Sequence, residues 1–119
     1  MRKIFFDTNI LLSKDKVDVF SELARICDFN YEVCVLDKTI DELKGKANGK
    51  LALSLINAKK VKIIKTKKDK NVDKLLLDLA EKDKIMIVVT QDKELKRLLK
   101  EKNINIVTTK QKKYLEFVN

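Results

Sequence analysis

The chain has 119 residues, 45% apolar and 38% charged, and its 27 basic against 18 acidic side chains give a formal charge of +9. That length suits one domain, 1–119, burying roughly two-thirds of its unfolded surface with no need of disulfides or a structural metal. There is no His, which removes imidazole as acid, base or metal ligand, together with Ser-His and Cys-His nucleophile pairs, and leaves hydrolysis to carboxylates, Lys, Tyr or a bound cation.

The first strand is Lys3 to Phe6, too short an apolar run for a signal peptide. Asp7 follows it directly, in FFDTN. Val19, Phe20, Leu23, Ile26 and Cys27 then recur at helical spacing. Cys27 and Cys34 lie in ICDF and VCVL with no C-x-x-C spacing, so they read as core thiols of a reducing compartment. The second strand is Glu32 to Leu36. Ile40, Leu43, Ala47, Leu51 and Leu55 form a long apolar stripe that Gly45 and Gly49 divide into two helices. The third strand, Val61 to Ile64, lies within residues 59–70, which hold seven lysines. Asp73 opens a helix from Val72 to Asp83 that carries Leu75, Leu76, Leu79 and Ala80. The fourth strand, Ile85 to Val89, is the most continuously apolar. Asp92 follows it in VVTQDKEL, ahead of a helix with Leu95, Leu98 and Leu99. The fifth strand is Ile104 to Val107, and a tail with Lys110, Lys112, Lys113, Tyr114 and Phe117 completes the chain. No apolar run approaches the roughly 20 residues of a membrane span.

Near-continuous apolar strands alternating with amphipathic helices predict a three-layer α/β/α domain with a central, mostly parallel five-stranded sheet. Ligands of such sheets bind beyond the carboxyl ends of the strands. Asp7 and Asp92 both fall there, and two carboxylates at one edge make a cation site. Each also has a purely structural role open to it: Asp7 as a helix cap, Asp92 and Asp73 as first-turn acids complementing the helix dipole. Asp92 precedes Leu95 and Leu99 on the apolar face of its helix, where an uncompensated carboxylate is costly. Glu42 reads by itself as a solvated charge, no better placed than Asp41. The positive field attracts polyanions, nucleic acid before an acidic membrane surface.

Together these segments resemble a PIN domain. The likeness rests on Asp7-Thr8-Asn9 after the first strand, Asp41-Glu42-Leu43 in a helix, Val72-Asp73-Lys74 opening a later helix, and Thr90 to Leu95 after the fourth strand. The stretch TQDKELKRLLKEKNINIV, Thr90 to Val107, is similar to small archaeal PIN proteins related to ribosomal RNA processing nucleases. The resemblance implies an endoribonuclease in which Asp7, Glu42, Asp73 and Asp92 gather one or two Mg²⁺ or Mn²⁺ ions. It implies that Thr8, Asn9 and Thr90 orient the acids or touch water and phosphate, and it selects Glu42 over Asp41. Lys74 departs from the pattern where many relatives carry a second acid, and Gln91 where Asn is common. The number of metals therefore stays open.

Hydrolysis of an anionic phosphodiester suits a hard divalent ion, which neutralises developing charge and activates water. A basic rim must offset the acidic pit, and Lys44, Lys46, Lys65, Lys67 and Lys68 are its candidates for holding RNA along the backbone. The expectation is a cytoplasmic, metal-dependent endoribonuclease of RNA processing or quality control, with a homodimer and a ribosome-associated partner expected and a membrane not. Two alternatives remain: a toxin ribonuclease of the VapC kind held by an antitoxin, and a PIN-like RNA-binding module without turnover, which Lys74 keeps open. A receiver domain would need Asp at the end of the third strand, where Lys65 and Thr66 stand. A haloacid-dehalogenase-type phosphatase would need Asp where Asn9 stands.

Overall fold

The computed structural model describes residues 1–13 and 17–118. In chain order the elements are β1 (Arg2–Phe6), α1 (Thr8–Leu12), α2 (Val19–Ile26), β2 (Tyr31–Leu36), α3 (Asp37–Lys44), α4 (Gly49–Ala58), β3 (Lys62–Ile64), α5 (Val72–Lys82), β4 (Ile87–Val89), α6 (Lys93–Glu101), β5 (Asn105–Lys110) and β6 (Tyr114–Val118). They form one sheet in the order β3-β2-β1-β4-β5-β6. The first five strands are parallel, and β6 runs antiparallel to β5.

Successive strand residues point to opposite faces, and this alternation sorts the core into two layers. Ile4, Phe6, Val35, Ile87, Val89 and Val107 face a layer shared with Ile10, Leu23, Leu43, Ala52 and Ile56 of α1 to α4. Phe5, Cys34, Leu36, Val88 and Ile106 face a second layer, with Val72, Leu76 and Ala80 of α5 and Leu95 and Leu99 of α6. The chain thus covers one face on the way from β1 to β3, and the other on the way from β3 to β5. The strand order turns back between β1 and β4, and a crevice opens at such a switch point beyond the strand ends. The two cysteines are free; burial raises the Cys34 thiol pKa to about 11, as suits an unreactive core residue.

Three details differ from the sequence reading. The sheet has a sixth strand, where the sequence showed only a basic tail. The β5–β6 turn is built on Gln111 and Lys112 at φ 54° and 55°, without the Gly or Asn that marks a hairpin. The helical stripe also changes phase at its break. α3 ends at Lys44 and α4 begins at Gly49, so Ala52 and Ile56 face the core while Leu51 is 70% exposed. A non-helical link resets the rotation between helices, which a single stripe drawn through it cannot register. Finally, Ile85 lies outside β4 and is exposed.

The open edge of β6 is partly covered. Leu115 N–H donates to Glu22 Oε1 and Leu115 C=O accepts from Arg25 Nη2, both at 2.9 Å. The Glu22–Arg25 pair of α2 thereby satisfies backbone groups that a further strand would use.

Candidate active site

Asp7 and Thr90 lie one residue beyond the paired ends of β1 and β4, at the switch point. Their amides extend the ladders: Asp7 N–H donates to Val89 C=O and Thr90 N–H to Val107 C=O, both at 3.0 Å. Asp7 stands at the N-cap position of α1, yet its carboxylate caps nothing. Its Oδ2 accepts the Thr90 hydroxyl at 2.8 Å instead. The residue is 3% exposed. Burial is the main cause that raises its pKa to about 6; Asp73 and Asp92 add like charge, and the Thr90 hydrogen bond opposes them.

Asp73 enters from the first turn of α5, whose start Asn71 caps by accepting Lys74 N–H at 3.0 Å. Its pKa is also raised, by burial first and then by Asp92 and Glu42. Glu42 comes from the last turn of α3. It is half-buried, and its Oε1 accepts the Thr8 hydroxyl at 2.7 Å. Asp41 turns outward and pairs with Lys68 at 2.8 Å. Geometry thus separates two neighbours that the helical pattern left equivalent. Asp92 does cap its helix: its Oδ1 accepts Leu95 N–H at 2.8 Å, and its own N–H donates to Thr90 Oγ1 at 3.1 Å.

Asp7, Glu42 and Asp73 line one hollow of about 210 Å³ together with Thr8, Asn9, Lys46, Asn71 and Val72. Asp92 lies outside that lining but within the electrostatic reach of Asp7 and Asp73. Among the described residues none of the four acids forms an ion pair with Lys or Arg. The polar neighbours divide by depth: Thr8 and Thr90 are buried and bonded to the acids, while Asn9 is exposed at the rim. Thr39, on α3, was not singled out by the sequence. It is fully buried with its hydroxyl 3.4 Å from that of Thr8, and its place one helical turn before Glu42 was the available signal.

The lysines scatter more widely. Lys46 lies in the acidic hollow itself. Lys44 is exposed at the end of α3. Lys65 and Lys67 line a different hollow, of about 290 Å³, with Asp69, Lys70, Asp78 and Lys82. Lys62, Lys68 and Lys70 are each matched to an acid, namely Glu32, Asp41 and Asp78. Lys59 sits over the Phe20 ring, 5.8 Å from its centre. The run at residues 59–70 is therefore partly neutralised.

A three-layer α/β domain with three carboxylates in one hollow beside its switch point, and a fourth within electrostatic reach, has the layout of a PIN-type domain. Residues 4–112 match the family described as PIN like domain, and the chain belongs to that family. It is 33% identical over 127 aligned residues to ribonuclease VapC4 of Methanocaldococcus jannaschii, covering 98% of this chain and 96% of that protein. In three dimensions it is similar to the PIN domain endonuclease Utp24, with a TM-score of 0.84, 22% identity, and coverage of 97% of this chain and 90% of that one. The last likeness concerns the fold. No helix among the described residues is long and apolar enough to cross a membrane.

Proposed function

We propose that this chain is a divalent-metal-dependent endoribonuclease. The observation that carries the reading is the meeting of Asp7, Glu42 and Asp73 in one hollow, with Asp92 beside it and Lys46 at its wall. The name of the Methanocaldococcus jannaschii relative, a ribonuclease, supports RNA as substrate.

The donor set fits a hard ion such as Mg²⁺ or Mn²⁺. It consists of carboxylate oxygens, and the most buried of them belongs to Asp7, which forms no ion pair with Lys or Arg among the described residues. Among the described residues no three acids close round one point as a metal cage does. An ion held by these carboxylates would complete its shell with water, as Mg²⁺ does. Held by Asp7, Glu42, Asp73 and Asp92, such an ion would neutralise phosphoryl charge and lower the pKa of its bound water.

The chain's own groups do the rest. The Thr90 hydroxyl fixes Oδ2 of Asp7, a residue that lines the hollow. The Thr8 hydroxyl does the same for Oε1 of Glu42. Capping occupies Asp92 Oδ1 and holds its carboxylate at the start of α6. Lys46 offers a positive charge to the phosphate brought up to these acids, offsetting repulsion from the carboxylates. Asn9 and Asn71 line the same hollow.

Cleavage of a labelled RNA with Mg²⁺ or Mn²⁺, stopped by chelator and lost in Asp7→Asn while the fold persists, is the expected result. A folded parent chain that cuts no RNA with either ion leaves the non-catalytic RNA-binding module, the reading that Lys74 keeps open, in its place. Two roles fit the enzyme, both in the cytoplasm. The stretch Thr90 to Val107 favours RNA processing, with a ribosome-associated partner. The likeness to a VapC ribonuclease favours a toxin held by an antitoxin. Growth arrest on expression, relieved by a small protein encoded beside it, selects the second. Sedimentation tests the homodimer.

A further inference from the structure

Thr39 lies on α3 one turn before Glu42 and is 0% exposed. Among the described residues, the one hydrogen-bond contact of its side chain is with the Thr8 hydroxyl, at 3.4 Å. Thr8 is buried as well, and reaches Glu42 Oε1 at 2.7 Å. Each hydroxyl has one proton to give and lone pairs to receive another. A carboxylate is the stronger acceptor and the contact to it is the shorter, so the Thr8 proton goes to Glu42. The Thr39 proton then goes to the Thr8 oxygen. A buried hydroxyl left without a partner is costly, so each step of this chain holds the next in one direction.

We propose that Thr39 is a positioning residue, which acts through the Thr8 hydroxyl to hold the Glu42 carboxylate over the acidic hollow. Glu42 needs such a hold. It projects from the last turn of a helix, is only half-buried, and has a side chain with rotamer freedom to lose. A carboxylate already ordered toward the hollow gives up less entropy when a cation arrives. The donor behind a ligand therefore contributes to affinity without touching the ion. This inference rests on reading the acids as a cation site.

The test is Mn²⁺ binding by calorimetry to the full chain, without RNA. Thr39→Val keeps the shape and removes the hydroxyl; it is expected to weaken Mn²⁺ binding about tenfold. Thr39→Ser restores the hydroxyl and is expected to bind as the parent does. In a Glu42→Gln background, Thr39→Val is expected to change nothing further, because the group it acts through is already altered. Thr39→Ala takes the place of Thr39→Val if the latter fails to fold, with the same expectation. Undiminished binding in the folded variant overturns the proposal alone. So does a loss that persists in the Glu42→Gln background, which marks a packing effect. A parent chain that takes up no Mn²⁺ overturns the cation site and this proposal together.

Discussion

The Thr90 hydroxyl donates to Asp7 Oδ2 at 2.8 Å, and so joins the residue after β4 to the residue after β1 across the switch point of the sheet. The same Thr90 oxygen accepts the Asp92 amide at 3.1 Å. One buried hydroxyl thus sets the relative position of two acids 85 residues apart in the chain. The site and the helices around it carry four measurable expectations.

Asp7 is held at a cost to the fold. Its pKa rises from 3.8 to about 6, chiefly through burial. A raised acid pKa means the folded state binds the proton more tightly than the unfolded one. The associated stability is fully present below pH 4 or so and is lost as pH rises through about 6. Asp7→Asn, neutral at every pH, is expected to stabilise the chelator-treated protein by about 3 kcal/mol at pH 7. That gain should vanish near pH 4. Urea unfolding at the two pH values measures it, and equal stability of the two proteins at pH 7 contradicts the role given to burial.

Protons and metal compete for the same carboxylate. Cleavage is expected to fall as pH drops through about 6, where Asp7 takes up a proton. Raising Mg²⁺ should move that acidic limb to lower pH, because a bound cation favours the ionised form. A rate profile recorded at low and at saturating Mg²⁺ checks the direction. A limb that stays in place separates Asp7 from the metal.

Lys46 and Lys68 are both surface lysines near α3, but only Lys46 lines the acidic hollow, whereas Lys68 is paired with Asp41. Lys46→Ala should raise KM for RNA about fivefold and lower the dependence of log affinity on log salt by about one. Lys68→Ala is expected to change both far less, since its charge is already matched. Kinetics at two salt concentrations distinguish them, and identical effects would point to a diffuse field.

Gly49 is required by close packing. A Cβ there would lie 1.7 Å from the carbonyl oxygen of Leu43, which is backbone and cannot swing aside. Gly45, with a nearest approach of 3.7 Å, has room for one. Gly49→Ala is expected to cost about 3 kcal/mol by forcing α4 away from α3. Gly45→Ala should stay within about 0.5 kcal/mol of the parent. The first substitution displaces the segment next to Glu42, so cation binding should weaken as well. Thermal unfolding of the two variants compares them directly.

The sequence by itself determined the layers. Apolar strands such as Ile87 to Val89 announce burial on both faces, and amphipathic helices between them leave few alternatives to a covered parallel sheet. It also determined which acids follow β1 and β4, because a residue after a strand must emerge at that strand's end. Asp7 and Asp92 could be placed from their neighbours alone. Glu42 and Asp73 could not be, except through the family resemblance, since a helical position records its own face and not what that face meets. Only the tertiary structure turned Glu42 inward to Thr8 and Asp41 outward to Lys68. It alone revealed Thr39, whose partner is 31 residues away. It also showed that several lysines of one basic run are matched to acids on other elements, and that β6 forms through a turn lacking the usual turn residues. The division has a physical cause. Periodicity and strand ends are local properties of the chain, whereas hydrogen-bond direction, ion pairing and helix phase across a break depend on groups that meet only after the sheet has assembled.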